Sequence, residues 1–371
     1  MKKSQWILGL VVLVALVALA LWARTRVHFD FHVFADQVAR ADWRFIALGV
    51  ACIYIGFVFR AFRWSLLVRH NQKVPALSLL GSQVIGFTAV ALIGRVADPV
   101  RPYLIARKTG LSLSSQIAVY IVERLLDAGS MALIFSVAMI WVPGDQVLNA
   151  TAHIWPIASL VPHHQNLALF VARYGGLCLT LAGVFFLAAV RLAGGAVASF
   201  FEKAFGLMSK KAGHAIAHKI RQFHSGLDTM RSFGDFSAVA GTSLSMWVLI
   251  TVAYYITCSA FPGLPLMTAP KCVLLMVASG TASVIQLPII GWFSQIGLVA
   301  VAISGILGAH AEVATACAAT LLVVTFLSVI PIGLVWAQFE NVSLRKVTVE
   351  SEHAAEDVAA KDEAADPAVT L

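Results

Sequence analysis

The chain has 371 residues, of which 59% are hydrophobic and only 12% charged, with a formal net charge of +8 and a mean hydropathy of +0.84. Soluble domains carry about 25% charged residues, so this surface must face lipid. That excludes a soluble enzyme, a secreted disulfide scaffold and a disordered chain, and the long unbroken apolar runs disfavour an outer-membrane barrel.

The first apolar run, 6–23, follows Lys2 and Lys3 and reads as a retained helix with its N-terminus in the cytoplasm. The second, 45–59, ends in Arg60-Ala61-Phe62-Arg63-Trp64. Here Trp64 suits an interface, and Arg60 and Arg63 are expected to snorkel to headgroups on the cytoplasmic side. A long run at 116–142 leads into a loop, 143–166, that has no Lys or Arg and should be external. The run 167–190 returns to the most basic stretch of the chain, with Arg191, Lys203, Lys210, Lys211, Lys219, Arg221 and Arg231. Within this cytoplasmic segment, 191–236, the spacing of Ile216, Ile220, Phe223, Leu227 and Met230 predicts an amphipathic helix lying on the inner leaflet. Runs at 236–260 and 313–338 complete the set. His214 and His218 are four apart but have no third ligand, so a solvated basic face is the simpler reading.

Two stretches do not read as simple spans. Residues 77–94 are basic on both sides, with Lys73 before and Arg101, Arg107 and Lys108 after. The positive-inside rule therefore favours a chain that enters and returns on the cytoplasmic face. By the same count 271–297 should enter and return from the external face. The alternative is that each spans fully and pairs with a short helix, 99–108 or 298–307. The two stretches resemble each other: Ile93-Gly94-Arg95-Val96-Ala97-Asp98 lies beside Ile290-Gly291-Trp292-Phe293-Ser294-Gln295, each followed by a short helix, a glycine and a long span. With three spans per half the second half would be inverted, an arrangement that sets a site where the broken elements meet.

The expected fold is thus all-α: a polytopic helical membrane protein of about six to eight transmembrane helices with two re-entrant elements in an inverted repeat. A single membrane domain, 1–346, divides into halves at about 6–142 and 167–338. Residues 350–371 hold seven acids and one lysine, so that end carries −6 and the remainder +14. A disordered acidic tail is expected over 347–371.

Intramembrane charge, which costs roughly 2.5–3.5 kcal/mol per group at a helix centre, marks the candidate site. Glu123 and Asp127 share a helix face with Arg124 beside them. Arg95, Asp98 and Arg101 frame the first broken element, and their guanidinium groups suit a phosphate. Gln295 occupies the matching position in the second. Either an internal ion-pair network or a substrate site accounts for Glu123, Arg124 and Asp127. The five cysteines lie in or beside apolar runs without metal-ligand spacing and read as small buried hydrophobes.

Three segments carry a family resemblance: Phe59-Arg60-Ala61-Phe62-Arg63-Trp64, Gly94-Arg95-Val96-Ala97-Asp98-Pro99-Val100-Arg101-Pro102-Tyr103-Leu104, and Glu123-Arg124-Leu125-Leu126-Asp127. In order and spacing they resemble the lysylphosphatidylglycerol synthase transmembrane-region family, a flippase-like membrane domain also found free-standing, over about residues 6–345. The chain departs from the family pattern at Ala97-Asp98, where Gly-Glu is common, and at Gln295, where an acid is usual. The resemblance implies translocation of a phospholipid or lipid-linked anionic headgroup across a bacterial inner membrane, with both termini cytoplasmic. Together with the intramembrane charges and the two broken elements, this makes Arg95, Asp98, Arg101, Glu123, Arg124, Asp127 and Gln295 the candidate substrate-binding residues. No aminoacyl-transferase domain follows residue 346, so no enzyme activity, cofactor, metal or nucleic-acid partner is expected. Competing expectations are a membrane enzyme of lipid-linked sugar or polyprenyl metabolism, and a non-transporting partner of such an enzyme.

Overall fold

The computed structural model describes residues 30–69, 71–142, 165–206, 233–282 and 290–364, and these form helices and no strand. Asp30 starts α1 (Phe31–Arg40), its carboxylate accepting from the His32 backbone N–H at 2.7 Å. Hydropathy does not mark this short helix. Asp42 caps α2 (Trp43–Val68) in the same way, through the Arg44 N–H at 2.9 Å. At about 1.5 Å per residue, α2 exceeds the roughly 30 Å hydrocarbon thickness.

A 3₁₀ turn (Ala76–Leu79) opens α3 (Leu80–Ile93), which stops at Gly94. The Gly94 backbone, φ 93° and ψ −168°, is open only to glycine. After Pro99 the chain turns back as α4 (Val100–Thr109), closed by Gly110 in the left-handed conformation. The α3–α4 pair is a tight hairpin. A Cβ on Gly86 would lie 2.8 Å from Arg101 Cβ and 3.2 Å from its Cα. At the other end Lys108 Nζ pairs with Glu340 Oε1 at 2.7 Å, and the same Oε1 lies against Gly81. The two limbs therefore begin and end beside one residue. The break falls at Gly94, and α3 is unbroken through Gly86.

Ser112 caps α5 (Leu113–Ile140), a 28-residue helix with its charges at Glu123, Arg124 and Asp127. Along it packs α6 (Gln165–Gly206), where Thr180 donates to the Gly129 carbonyl at 3.1 Å. The expected span 167–190 continues to 206, through a non-helical residue at Ala193 (φ −142°, ψ 42°). The first run, 6–23, most of the external loop, and the predicted amphipathic helix with His214 and His218 lie outside the described residues.

The second half repeats the order of the first. It comprises α7 (Phe233–Ser259), a hairpin of α8 (Ala269–Ala282) and α9 (Ile290–Leu307), and then α10 (Ala311–Leu322), a π turn (Val323–Leu327) and α11 (Val329–Phe339). Gln295 reaches Ser279 near the tip of this hairpin at 3.4 Å, while Leu274 and Ile306 share a cluster with Met139 at its foot. Gly308 closes α9 as Gly110 closes α4: each has φ near 70° and donates its N–H four residues back at 2.8 Å.

Equivalent helices of the two halves run antiparallel. Gly49 of α2 approaches Thr257 of α7, Gly56 approaches Met246, Arg63 bonds Ser243, and Arg69 pairs with Asp235. The long helices also exchange partners. α5 packs on α8, with Met131 at Gly280, and α11 packs on α3, with Gly333 at Thr88 and Trp336 at Gly81. This is the geometry of an inverted repeat.

The π turn has a local cause. Pro331 has no N–H for the Leu327 carbonyl, and its ring crowds that turn. The neighbouring carbonyls find partners on other helices: Tyr54 donates to Ser328 O at 2.7 Å and Thr88 to Val329 O at 3.2 Å.

The acidic end differs from expectation. Residues Leu344–Ala364 form α12 rather than a disordered tail from 347 onward, and Val347, Thr348 and Ser351 are buried. Alanine with Glu and Lys has high helix propensity, and Val347 joins the cluster of Ala97, Val100 and Leu104. Residues 365–371 are not described. Of the cysteines, Cys52, Cys258, Cys272 and Cys317 are buried and Cys178 is exposed.

Among the described residues four helices are long and apolar enough to cross a membrane: Trp43–Val68, Ala76–Ile93, Gly234–Ser259 and Ala311–Phe339. With the shorter apolar helices they make the chain a polytopic helical membrane protein.

Two outcomes check this architecture. Cysteines introduced at Lys73 and Lys108 should react with an impermeant maleimide from the same side of the membrane; labelling from opposite sides refutes the hairpin. Gly86→Val should push α3 and α4 apart and cost about 1–3 kcal/mol, read as a lowered unfolding temperature in detergent.

Candidate functional site

Five helices carry their polar side chains to one place. On α2, Phe57, Arg60 and Trp64 lie at helical spacing, and Arg63 lies beside them toward α5. On α5, Glu123, Arg124 and Asp127 occupy one stretch of two turns. Arg101 enters from α4, Gln83 and Phe87 from α3, and Ser243 and Trp247 from α7.

The network centres on one oxygen. Glu123 Oε1 receives Arg63 Nη2 at 2.8 Å, Arg101 Nη1 at 2.7 Å and Arg124 Nη2 at 2.5 Å, with Arg60 Nη1 at 3.7 Å. Asp127 takes Arg63 Nη1 at 2.5 Å and Arg124 Nη2 at 2.9 Å, and accepts from Trp247 Nε1 at 3.2 Å. Arg63 also donates to Ser243 Oγ at 2.8 Å, and Arg101 to Gln83 Oε1 at 3.3 Å. Trp64 Nε1 donates to Gln116 Oε1 at 2.8 Å, fixing the register of α2 against α5. Glu123 is 0% exposed and Arg63 1%, whereas the Arg124 side chain is 41% exposed. Water screens the deep pairs little, so their mutual attraction is strong.

Aromatic rings complete the wall. The Phe87 ring lies 4.7 Å from the Arg60 guanidinium carbon and 4.8 Å from that of Arg101. Tyr120 stands 4.9 Å from Arg101 and 5.3 Å from Arg124. Such contacts favour cations in a dry site.

In front of this network lies a cavity of about 160 Å³, lined by Gly86, Phe87, Val90, Arg95, Asp98, Arg101, Arg124, Gln295, Thr325 and Phe326. It draws on the first hairpin, α5, the second hairpin and the π turn. Of the residues singled out in the sequence, Arg95, Asp98, Arg101, Arg124 and Gln295 line it. Glu123 and Asp127 stand behind, holding the arginines.

Arg60 and Arg63, expected to snorkel outward, instead turn inward onto Glu123 and Asp127. The acids that draw them in, Glu123 and Asp127, lie on another span more than fifty residues away. Nothing in the sequence marked Gln83, Phe87, Tyr120 or Trp247.

Among the described residues of this site, four guanidinium groups, of Arg60, Arg63, Arg101 and Arg124, face two carboxylates, Glu123 and Asp127, while Arg95 and Asp98 stand at the rim. Gln295 adds a neutral amide, 6% exposed, whose Oε1 has no hydrogen-bond partner. The arrangement suits an anion that presents several acceptor oxygens.

The family model described as the lysylphosphatidylglycerol synthase TM region matches residues 6–359. Comparison with curated proteins gave no match.

Removing the central carboxylate should be the most damaging single change. Glu123→Gln leaves Arg63 and Arg101 buried beside one remaining acid, and should cost about 3–5 kcal/mol in detergent unfolding. Adding Arg101→Met should restore part of that loss, because it removes a stranded charge.

Proposed function

We propose that this chain, which belongs to the lysylphosphatidylglycerol synthase TM-region family, is a translocase that moves a phospholipid or lipid-linked anionic headgroup between leaflets. The observation that carries this reading is the cavity between the two hairpins, where Arg95, Arg101 and Arg124 stand together. Guanidinium groups donate paired hydrogen bonds to phosphate oxygens, and a headgroup presents a phosphate to them.

The residue roles follow from position. Arg101 and Arg124 donate to the phosphate oxygens, and Arg95 meets it at the rim. Glu123 and Asp127 hold the arginines in place. Gln295 and the π-turn residues Thr325 and Phe326 close the opposite wall. Translocation in this scheme is exchange of the cavity between the two faces as one half moves against the other, the lipid tails remaining in the bilayer. No bond in the lipid is made or broken. We place the chain in a bacterial inner membrane with both termini cytoplasmic, working on membrane lipid with or without an enzyme partner that supplies it.

Reconstituted vesicles test this. Wild-type protein should carry fluorescent anionic phospholipid between leaflets faster than empty vesicles, and Arg124→Ala should lower the rate at least about tenfold. Arg124 is suitable because it is partly exposed, and Asp127 keeps Arg63 in its absence. Purified, folded protein that moves none of several anionic lipids refutes the proposal.

A further inference from the structure

The second half brings together two reactive groups that the headgroup cavity does not use. Cys258 is the last residue but one of α7, and Cys317 lies nearly two turns into α10. Their sulfurs are 3.6 Å apart, the Cys317 thiol donating to Cys258 Sγ. Both are buried, in a core cluster that also holds Phe261, Met267 and Cys272. Cys272, the third thiol of that cluster, is directed elsewhere: its Sγ donates to the Thr251 carbonyl at 3.2 Å. Cys52 belongs to a different cluster, and Cys178 is exposed on α6. The packing thus singles out one pair among the five cysteines.

Two thiols in contact stand one oxidation away from a disulfide. The S–S bond is about 2.0 Å long, so each sulfur has to move by less than about 1 Å, the reach of a small side-chain rotation. Burial slows attack from outside, but the cover is local. Phe261 and Met267 come from residues 260–268, which carry no helix. Such a connecting segment opens at a lower free energy than the helices that it joins.

We infer that Cys258 and Cys317 are a dithiol that closes to a disulfide and ties α7 to α10. The oxidant is a small-molecule or protein disulfide. Cys258, as its thiolate, attacks one sulfur of the oxidant, and its proton goes to the thiol that leaves. Cys317 then attacks the Cys258 sulfur, which breaks the mixed disulfide and releases the second thiol with the second proton. The pair loses two electrons, and these reduce the oxidant disulfide to two thiols. The bond has a mechanical consequence. α7 packs along α2, whereas α10 packs on α9 and α1. The bond therefore joins the second hairpin, through α10, to the α2–α7 pair. It also closes a loop that contains that whole hairpin and so restricts the unfolded chain. Such bonds persist in oxidising compartments. With both termini cytoplasmic, as proposed above, the end of α7 that carries Cys258 lies outside.

The test uses the full chain in detergent. It is reduced, freed of reductant, treated with 2,2′-dipyridyl disulfide, denatured, alkylated with N-ethylmaleimide and digested for mass spectrometry without reductant. The expected product is one pair of peptides linked through Cys258 and Cys317. Cys272→Ser should keep that link; Cys317→Ser should lose it and leave a pyridyl adduct on Cys258. The linked chain should unfold about 5 °C or more above the reduced chain, a difference that Cys317→Ser should not show. A pyridyl adduct on the exposed Cys178 verifies that the oxidant acts. With that adduct present, unlinked Cys258 and Cys317, or a link from Cys258 to Cys272, overturns the inference. A linked chain that unfolds at the temperature of the reduced one overturns the restraint. In cells quenched with acid before lysis the link should already be present. A chain reduced in cells but linked in detergent overturns the outside placement of this end of α7 and leaves the pairing standing.

Discussion

One oxygen organises this molecule. Glu123 Oε1 lies within 2.8 Å of guanidinium nitrogens from three helices: Arg63 on α2, Arg101 on α4 and Arg124 on α5 itself. Asp127, one turn on, ties α2 again and adds α7 through Trp247. The Arg63 and Arg101 contacts are buried, and all of them involve an ionised group. Sliding α5 by one helical turn would separate both acids from Arg63, Arg101 and Trp247 at once. A buried network of this kind adds less to net stability than its geometry suggests, because desolvating each ion offsets most of the attraction. Its effect is on register: α2, α4 and α5 have one mutual arrangement in which no ion is stranded. That arrangement also sets Arg101 and Arg124 at the edge of the cavity.

The two halves share a backbone plan but divide the chemistry. Both have a long helix, a hairpin, a left-handed glycine and a second long helix, and the long helices exchange partners across the repeat. All the charges of the central network come from the first half. The second half supplies a neutral amide, Gln295, and a deformed span. Where α5 places three charged residues, α10 and α11 place a π turn, whose residues Thr325 and Phe326 reach the same cavity. Its irregular carbonyls are partnered by Tyr54 and Thr88 of the first half, as irregular backbone inside a membrane protein requires. A charged wall held in fixed register thus faces a wall of uncharged groups.

How much of this was readable in the sequence follows from what each signal measures. Apolar runs report transfer into lipid, and they located α2, α7 and the final span to within a few residues. Basic residues on both sides of 77–94 pointed to a chain that turns back, and the turn falls at Gly94, where only glycine adopts the backbone. The sequence matched Gly110 with either Gly305 or Gly308; the backbone, with φ near 70° at Gly110 and Gly308, decides for Gly308. Direction was not legible for Arg60 and Arg63: a guanidinium at a span end can reach headgroups or turn inward, and the choice depends on acids more than fifty residues away. Nor was α12, where low apolar content read as disorder, although alanine-rich segments need only a few buried contacts, here Val347, Thr348 and Ser351, to settle as helix. The π turn required knowing that Tyr54 and Thr88 would meet the carbonyls around Pro331.

The order of charges from the interior outward decides what the site can hold. Had the carboxylates lined the cavity and the arginines stood behind, the same residues would have presented a cation site. Here Glu123 is fully buried, Asp127 nearly so, and the exposed member of the network is Arg124. Each acid is covered by guanidinium groups on the cavity side, so the field that reaches the cavity is positive. Phe87 and Tyr120 reinforce this order, because their faces attract the cations and their bulk excludes water that would otherwise screen them. An anion entering between the hairpins meets arginines already held by the acids behind them. They need no reorganisation on binding, and the acids that fix them are too deeply covered to repel the ligand at close range.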